Sequence, residues 1–297
     1  KDVGMRQNRF LLMQKIWICG AKGQIGRAIN EVIDKLEYKI LDTDIDDLDI
    51  TDTDEVLRFG EMNRPDVIIN CAGLTDLQEC EKNLAKAFKT NALGARNLSI
   101  VARKVEAKLV HISTDDVFDG KSQKPYTEFD ETHPKTAYGK SKLAGERYVK
   151  EFTYKHFIIR STWVYGLGNN FINQLLEKVD QGENLSIAGD QFGSPTSAKE
   201  LARFILHLIQ TNEYGTYHAT NKGVCSRFEF ASEILRLTGK QVEMKPVVTH
   251  MSDFSRERPA FSVLDNFIMT MTPVYDFPDW KESLKEYMEE RGLLNEK

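Results

Sequence analysis

The sequence predicts an α/β protein, a doubly wound parallel sheet followed by a smaller C-terminal α/β cap that binds substrate. Short, strongly apolar runs alternate with longer amphipathic segments from residue 15 to residue 165, and that alternation loosens between 166 and 297. Apolar runs this short, each followed by a helical period, are what a parallel sheet covered on both faces requires. A glycine-rich turn between the first such run and the first helix completes the pattern.

Each element follows in order. KIWIC at 15–19 reads as the first strand, GQIGRAINEVIDKL as the first helix, YKILD as the second strand and DEVLRFGEM as the second helix. DVIINCA is a third strand, AKAFKTNALGARNLSIVARKV one long helix, and KLVHIST a fourth strand. AYGKSKLAGERYVKEF and HFIIRST close the pattern as helix and strand. Beyond Tyr165 the helices FINQLLEKV, AKELARFILHLI and RFEFASEILRLTG stand between shorter strand-like pieces, too few for a second complete sheet. The expected organisation is an expression scar or loose extension over 1–14, a dinucleotide-binding Rossmann domain over 15–165, and a mainly substrate-binding domain over 166–297, with room for the chain to cross back.

Bulk properties narrow the function. A net charge of -5 without a basic block excludes a nucleic-acid partner. No apolar run approaches the ~20 residues that span a bilayer, so no membrane partner is expected. Cys19, Cys71, Cys80 and Cys225 lie far apart and make no zinc spacing, which points to free thiols in a reducing cytoplasm. The histidines lack metal-ligand spacing, and His111 and His218 read as packed residues. The acid-rich stretch DTDIDDLDITDTD lacks the turn glycine and terminal glutamate of a calcium loop. Trp280 and Leu284 in the C-terminal amphipathic segment read as packing positions.

Gly20, Gly23 and Gly26 follow the first strand at once and open the first helix, with Lys22, Gln24 and Ile25 between them. Residues without a Cβ permit a tight turn and close approach to a pyrophosphate, and the helix N-terminus offers it N–H donors. Asp44, at the end of the second strand, is where a dinucleotide site places an acid on the ribose hydroxyls. Asp44 favours NADH and Lys22 favours NADPH, so either cofactor is expected.

Tyr138 and Lys142 stand four residues apart at the start of a helix, on one face. A cation there stabilises the phenolate, which makes the tyrosine a usable acid or base near neutral pH. The preceding strand ends in Ser113 and Thr114 at the carboxyl edge of the sheet, where a hydroxyl could bond the oxygen that Tyr138 protonates.

The glycine turn, Asp44, NCAG at 70–73, STDDVFDG at 113–120 and YGKSK at 138–142 together resemble the extended short-chain dehydrogenases. RSTWVYG, GNNF, DQFGSPT and ERPAFSVLDN resemble one branch of them, the dTDP-4-dehydrorhamnose reductases. The resemblance implies reduction of the 4-keto group of dTDP-4-dehydro-L-rhamnose to dTDP-L-rhamnose with NADPH or NADH, by a monomer or homodimer. It assigns Thr114, Tyr138 and Lys142 to catalysis, Asp49 and Ile50 to the adenine, Cys71, Ala72 and Gly73 to the cofactor groove, and Trp163 to the sugar. Asn170 and Arg258 would hold the diphosphate.

The chain departs from the family pattern where Asp116 replaces a tyrosine beside the sugar, where Leu77 and Gln78 replace a Val-Asp pair, and where Arg227 replaces a tryptophan. Ala28 and Lys199 stand where some members carry metal-bridging acids, so no metal is expected. Two further activities remain open at this stage: a nucleotide-sugar epimerase or dehydratase, and a non-catalytic NADP-binding regulatory subunit.

Overall fold

A computed structural model describes residues 13–249, 260–272 and 274–295. Strand β1 (Gln14–Cys19) leads through a glycine turn into α1 (Gln24–Val32), then β2 (Tyr38–Thr43), α2 (Thr53–Asn63) and β3 (Val67–Asn70). Two short helices, α3 (Leu77–Lys82) and α4 (Leu84–Phe88), precede a π-helical turn at Lys89–Leu93 and then α5 (Gly94–Val105). Strand β4 (Lys108–Thr114) ends in a 3-10 turn (Asp115–Val117), followed by α6 (Ala137–Phe152) and β5 (His156–Ser161). The second part contains β6 (Val164–Tyr165), α7 (Phe171–Asp180), β7 (Leu185–Ala188), β8 (Phe192–Gly193), β9 (Thr196–Ser197) and α8 (Ala198–Leu208). It continues with β10 (Gly215–His218), β11 (Cys225–Ser226), α9 (Arg227–Thr238), β12 (Met244–Val247), α10 (Phe267–Met271) and α11 (Trp280–Glu290).

Six strands form a parallel sheet in the order β10-β5-β4-β3-β1-β2. The chain runs outward from β1 to β2 and then returns to β3 on the other side of β1, which makes the carboxyl ends of β1 and β3 the switch point. Every residue of β3 is buried, as in a sheet covered on both faces. One layer packs Ile16, Ile29, Ile69 and Phe157 with Leu201, Phe204 and Ile205 of α8, and the other packs Trp17, Ile68, Leu109 and Ile158 with Leu98 and Val101 of α5. A third core, around Tyr165, Ile172, Phe230, Trp280 and Leu284, belongs to the second part.

Two expectations change, at Gln14 and in the long helix. Gln14, placed in the extension by sequence, pairs with Tyr38 in the sheet, while residues 1–12 lie outside the described residues. Beyond residue 165, α8 packs into the first core and β10 extends the main sheet beyond β5. The long helix over 85–105 is split by the π turn, which rotates Asn91 into the interior, where it donates to the Leu74 carbonyl at 2.9 Å.

Candidate active site

The crevice at the switch point is built by the glycine turn and residues 71–73. Thr43 O accepts the N–H groups of Gly20 and Ala21, and Cys19 O accepts that of Cys71, so the turn is tied to β2 while residues 71–73 are tied to β1. Gly20 has φ 74°, and a Cβ there would fall 2.6 Å from the Ala72 nitrogen; one at Gly26 would fall 2.5 Å from Gly20 O. Gly23 caps α1 without a side-chain bond, and α1 has no acid in its first turn, which leaves its amide donors to an anion. This turn, where a Cβ at Gly20 or Gly26 would collide with backbone, fits a dinucleotide pyrophosphate.

The other residues assigned to the cofactor divide. Asp44 accepts the Lys22 N–H at 2.8 Å and the Ile45 N–H at 2.9 Å, so in this structure its carboxylate closes the glycine turn. The Lys22 ammonium pairs with Asp46 at 2.9 Å on the exposed rim, which offsets the charge that would favour a 2′-phosphate. Gln24 donates to Asn169 O at 3.3 Å, and Ile25 packs on the core. Asp49 accepts the Thr51 N–H at 2.8 Å. Ile50 is buried in the core, and its carbonyl accepts Asn97 Nδ2 at 3.0 Å.

The candidate reaction pair, Tyr138 and Lys142, begins α6, which Thr136 caps by accepting the Gly139 N–H at 2.8 Å. Lys142 is buried and donates to Ile112 O of β4 at 2.5 Å. Its ammonium stands 3.7 Å from where a Cβ of Gly73 would lie, so lysine and glycine turn flank the same crevice wall. Burial pushes its pKa down to about 8, with Glu146 opposing that shift. Tyr138 is half-buried and packs beside Leu74 and the buried Cys80.

Thr114 is buried at the end of β4; its hydroxyl donates to Asp115 Oδ1 at 3.0 Å and accepts the Asp116 N–H at 3.2 Å. Asp116 is buried as well, and its Oδ2 accepts the Thr136 hydroxyl at 3.4 Å, which ties it to the start of α6. Ser113 faces the other side of β4 and donates to Glu146 at 2.6 Å, so of the two strand-end hydroxyls only that of Thr114 lies on the opposite face.

Trp163 stands at φ 47°, an uncommon conformation for a bulky residue. A Cβ on Gly193 would fall 2.5 Å from its indole, and the Arg227 guanidinium lies 3.6 Å from its ring centroid. Where the family pattern has an aromatic, this chain thus places a cation on the indole face. Asn170 caps α7. Its Oδ1 accepts the N–H groups of Ile172 and Asn173 at the start of α7, and its Nδ2 donates to Gly166 O at 2.6 Å and Gly168 O at 3.2 Å, which uses both amide hydrogens. Arg258 lies outside the described residues.

One residue escaped the sequence reading. Asn91 Oδ1 accepts the Leu74 N–H at 2.8 Å, and its Nδ2 also donates to Ser141 Oγ at 2.9 Å, which in turn donates to Tyr138 O at 2.8 Å. It locks the crevice wall to the reaction helix. Its only signal is the π turn, which a 3.6-residue period does not separate from ordinary helix.

Ala28 is buried in the first core, and Lys199 is paired with Glu286 at 3.3 Å and with Glu290. Among the described residues no group of three or more His, Cys, Asp or Glu side chains is arranged to hold a metal ion. Among the same residues no helix is long and apolar enough to cross a membrane.

Comparison with known proteins agrees with this geometry. The chain is 36% identical over 281 residues to the spore coat polysaccharide biosynthesis protein SpsK of Bacillus subtilis, covering 94% of this chain and 99% of that one. It is 33% identical to a dTDP-4-dehydrorhamnose reductase of Aggregatibacter actinomycetemcomitans, over 92% of this chain and 98% of the relative. The structure of a dTDP-4-dehydrorhamnose reductase from Clostridium acetobutylicum superposes with a TM-score of 0.92 at 43% identity, over 94% of this chain and all of that one. That of the Bacillus anthracis enzyme in complex with NADP gives 0.91 at 38% identity, over 93% and 99%. A Thermus thermophilus UDP-glucose 4-epimerase bound to NAD, at 18% identity and a TM-score of 0.80, shares the fold. With residues 13–292 matching the model of the RmlD substrate binding domain, the chain belongs to that family.

Proposed function

We propose that this protein reduces the 4-keto group of a nucleotide-linked deoxysugar, dTDP-4-dehydro-L-rhamnose to dTDP-L-rhamnose, using NADPH or NADH. The observation that carries this reading is the convergence on one crevice wall: the glycine turn touches Ala72, and the Lys142 ammonium faces Gly73. The family membership and the relatives named for this reaction support the substrate class.

In this reading the amides of the glycine turn and the first turn of α1 hold the pyrophosphate. The nicotinamide, when bound, supplies a hydride to the carbonyl carbon. Tyr138 gives its phenolic proton to the carbonyl oxygen, and the Lys142 ammonium one turn away stabilises the phenolate left behind. Ile112 O holds that ammonium in place. Thr114 turns its hydroxyl from Asp115 to the same substrate oxygen. Trp163, backed by Arg227, supplies the apolar face for the sugar ring. The four cysteines are free, which suits action in the cytoplasm.

The test is cofactor oxidation with a panel of 4-keto nucleotide sugars. NADPH or NADH should be consumed only when the dTDP-linked substrate is present, and Tyr138→Phe should lose roughly 10²- to 10⁴-fold in kcat while binding cofactor normally. Undiminished turnover in that variant overturns the assignment. Turnover without net cofactor consumption would instead identify an epimerase or dehydratase, and cofactor binding without any turnover a regulatory subunit.

A further inference from the structure

Helix α6 carries a second buried charge, one turn beyond Lys142. Glu146 is 0% exposed, and its carboxylate accepts Ser113 Oγ at 2.6 Å, Arg160 Nε at 2.9 Å and Arg160 Nη2 at 2.7 Å. Arg160 is buried beneath the Phe118 ring at 5.2 Å, and its Nη1 lies 3.5 Å from His218 Nε2. The other ring nitrogen of His218 faces the carbonyls of Tyr126 and Asp265, so Nδ1 carries the hydrogen and Nε2 accepts from the arginine. Burial and the arginine hold His218 down to about 3, so the imidazole is neutral and Glu146 is the counter-charge of Arg160.

A buried ion pair is a poor device for stability alone, because desolvation of two charges offsets most of their attraction. The location of this one is more informative. It joins β5 to the two elements that carry the reaction centre: Ser113 is the neighbour of Thr114 on β4, and Glu146 shares a helical face with Lys142 and Tyr138.

We propose that Glu146 is a positioning residue for the reaction centre, fixing through Ser113 the strand end that presents Thr114 and standing on α6 as the counter-charge of the buried Lys142 ammonium. The inference rests on the assignment of Tyr138 and Lys142 as the reaction pair. The groups that act on Lys142 are Glu146 on its own helix, Cys71 beyond β3, Cys80 on α3 and His111 on β4, with Tyr138 one turn before it on α6. Burial pushes Cys71 up to about 12 and Cys80 up to about 11, and holds His111 well below its ordinary value, so these three are neutral at physiological pH. Glu146 supplies the negative charge. Lys150, a turn further along, also feels Glu146 and Arg160.

The test reads Lys142 directly. In protein labelled with [ε-13C]lysine, the Lys142 resonance, identified by its loss in Lys142→Met, should titrate near pH 8, and Glu146→Gln should lower that midpoint by about one unit. Glu146→Gln leaves the buried Arg160 without its counter-charge, so Glu146→Gln with Arg160→Gln provides a second variant with no lone charge, in which the midpoint should fall in the same direction but by less, because a cation leaves with the carboxylate. Glu146→Asp, which restores the carboxylate, should bring the midpoint back toward wild type. For ketone reduction the alkaline limb should move with the midpoint, making kcat about five-fold lower at pH 8, the ratio of charged fractions for midpoints of 8 and 7, with KM little changed. An unmoved midpoint in any folded variant lacking the carboxylate overturns the inference, whatever its activity. A moved midpoint in the variants, with wild-type protein that reduces no keto sugar, instead removes the proposed reaction and leaves the role of Glu146 as counter-charge standing.

Discussion

At the scale of single residues, the site depends on a lysine whose ordinary charge is weakened by burial. Lys142 is protonated below about pH 8 and loses its charge above it. In the proposed mechanism its ammonium stabilises the phenolate, so ketone reduction should hold level through neutral pH and fall as the pH passes about 8, which a pH–rate profile of kcat/KM will check. Trp163 shows the opposite design, a ring held by its surroundings. Gly193→Ala would drive a methyl group to within 2.5 Å of the indole. Overpacking of this kind costs about 1–3 kcal/mol. If the indole lines the sugar site, KM for the sugar nucleotide should rise roughly tenfold while the cofactor Kd stays unchanged. An unchanged KM would remove Trp163 from the sugar site. Motifs pointed to Lys142 and Trp163 in the sequence, and the capping position of Asn170 was legible there as well. The signal was present, since an asparagine immediately before the apolar period of FINQLLEKV is a helix-cap signature.

At the scale of elements, the glycine turn and the start of α1 act as one unit. Gly26→Ala would press a Cβ against Gly20 O at 2.5 Å and Ala21 Cα at 2.7 Å, both backbone atoms with no freedom to give. Cofactor affinity should fall by at least tenfold in a fluorescence titration, with the far-ultraviolet circular dichroism retained; wild-type affinity would show that the turn does not carry the pyrophosphate. This turn was legible in the sequence because strand, glycines and helix are contiguous. Asn91 was not legible. Its amide enters the interior only because the π turn at Lys89–Leu93 shifts the helix register, and the bonds that reward this shift come from Leu74 and Ser141, remote in sequence.

At the scale of the whole molecule, the second part of the chain does not simply follow the first. Helix α8 and strand β10 return to the sheet, so the dinucleotide crevice and the cap share one folded body. A ligand held between them should therefore stabilise the entire molecule. Saturating NADPH or NADH, at about 100 times Kd, should add about 2.7 kcal/mol and raise a single thermal transition; two transitions, only one of them moved, would show independent halves. The exposed pair of Lys22 with Asp46 is expected to keep the two cofactor forms close in effect.

The sequence by itself determined the layer order, the glycine turn, and the residues at the carboxyl ends of β1, β4 and the start of α6, because each is written in contiguous residues with a local period. Tertiary structure alone decided the rest. That Ile50 belongs to the core, that Arg227 covers Trp163 and that Glu146 joins Ser113 to Arg160 are all outcomes of packing between segments distant along the chain. A side chain's partners depend on which elements the fold brings together, and no local pattern encodes that.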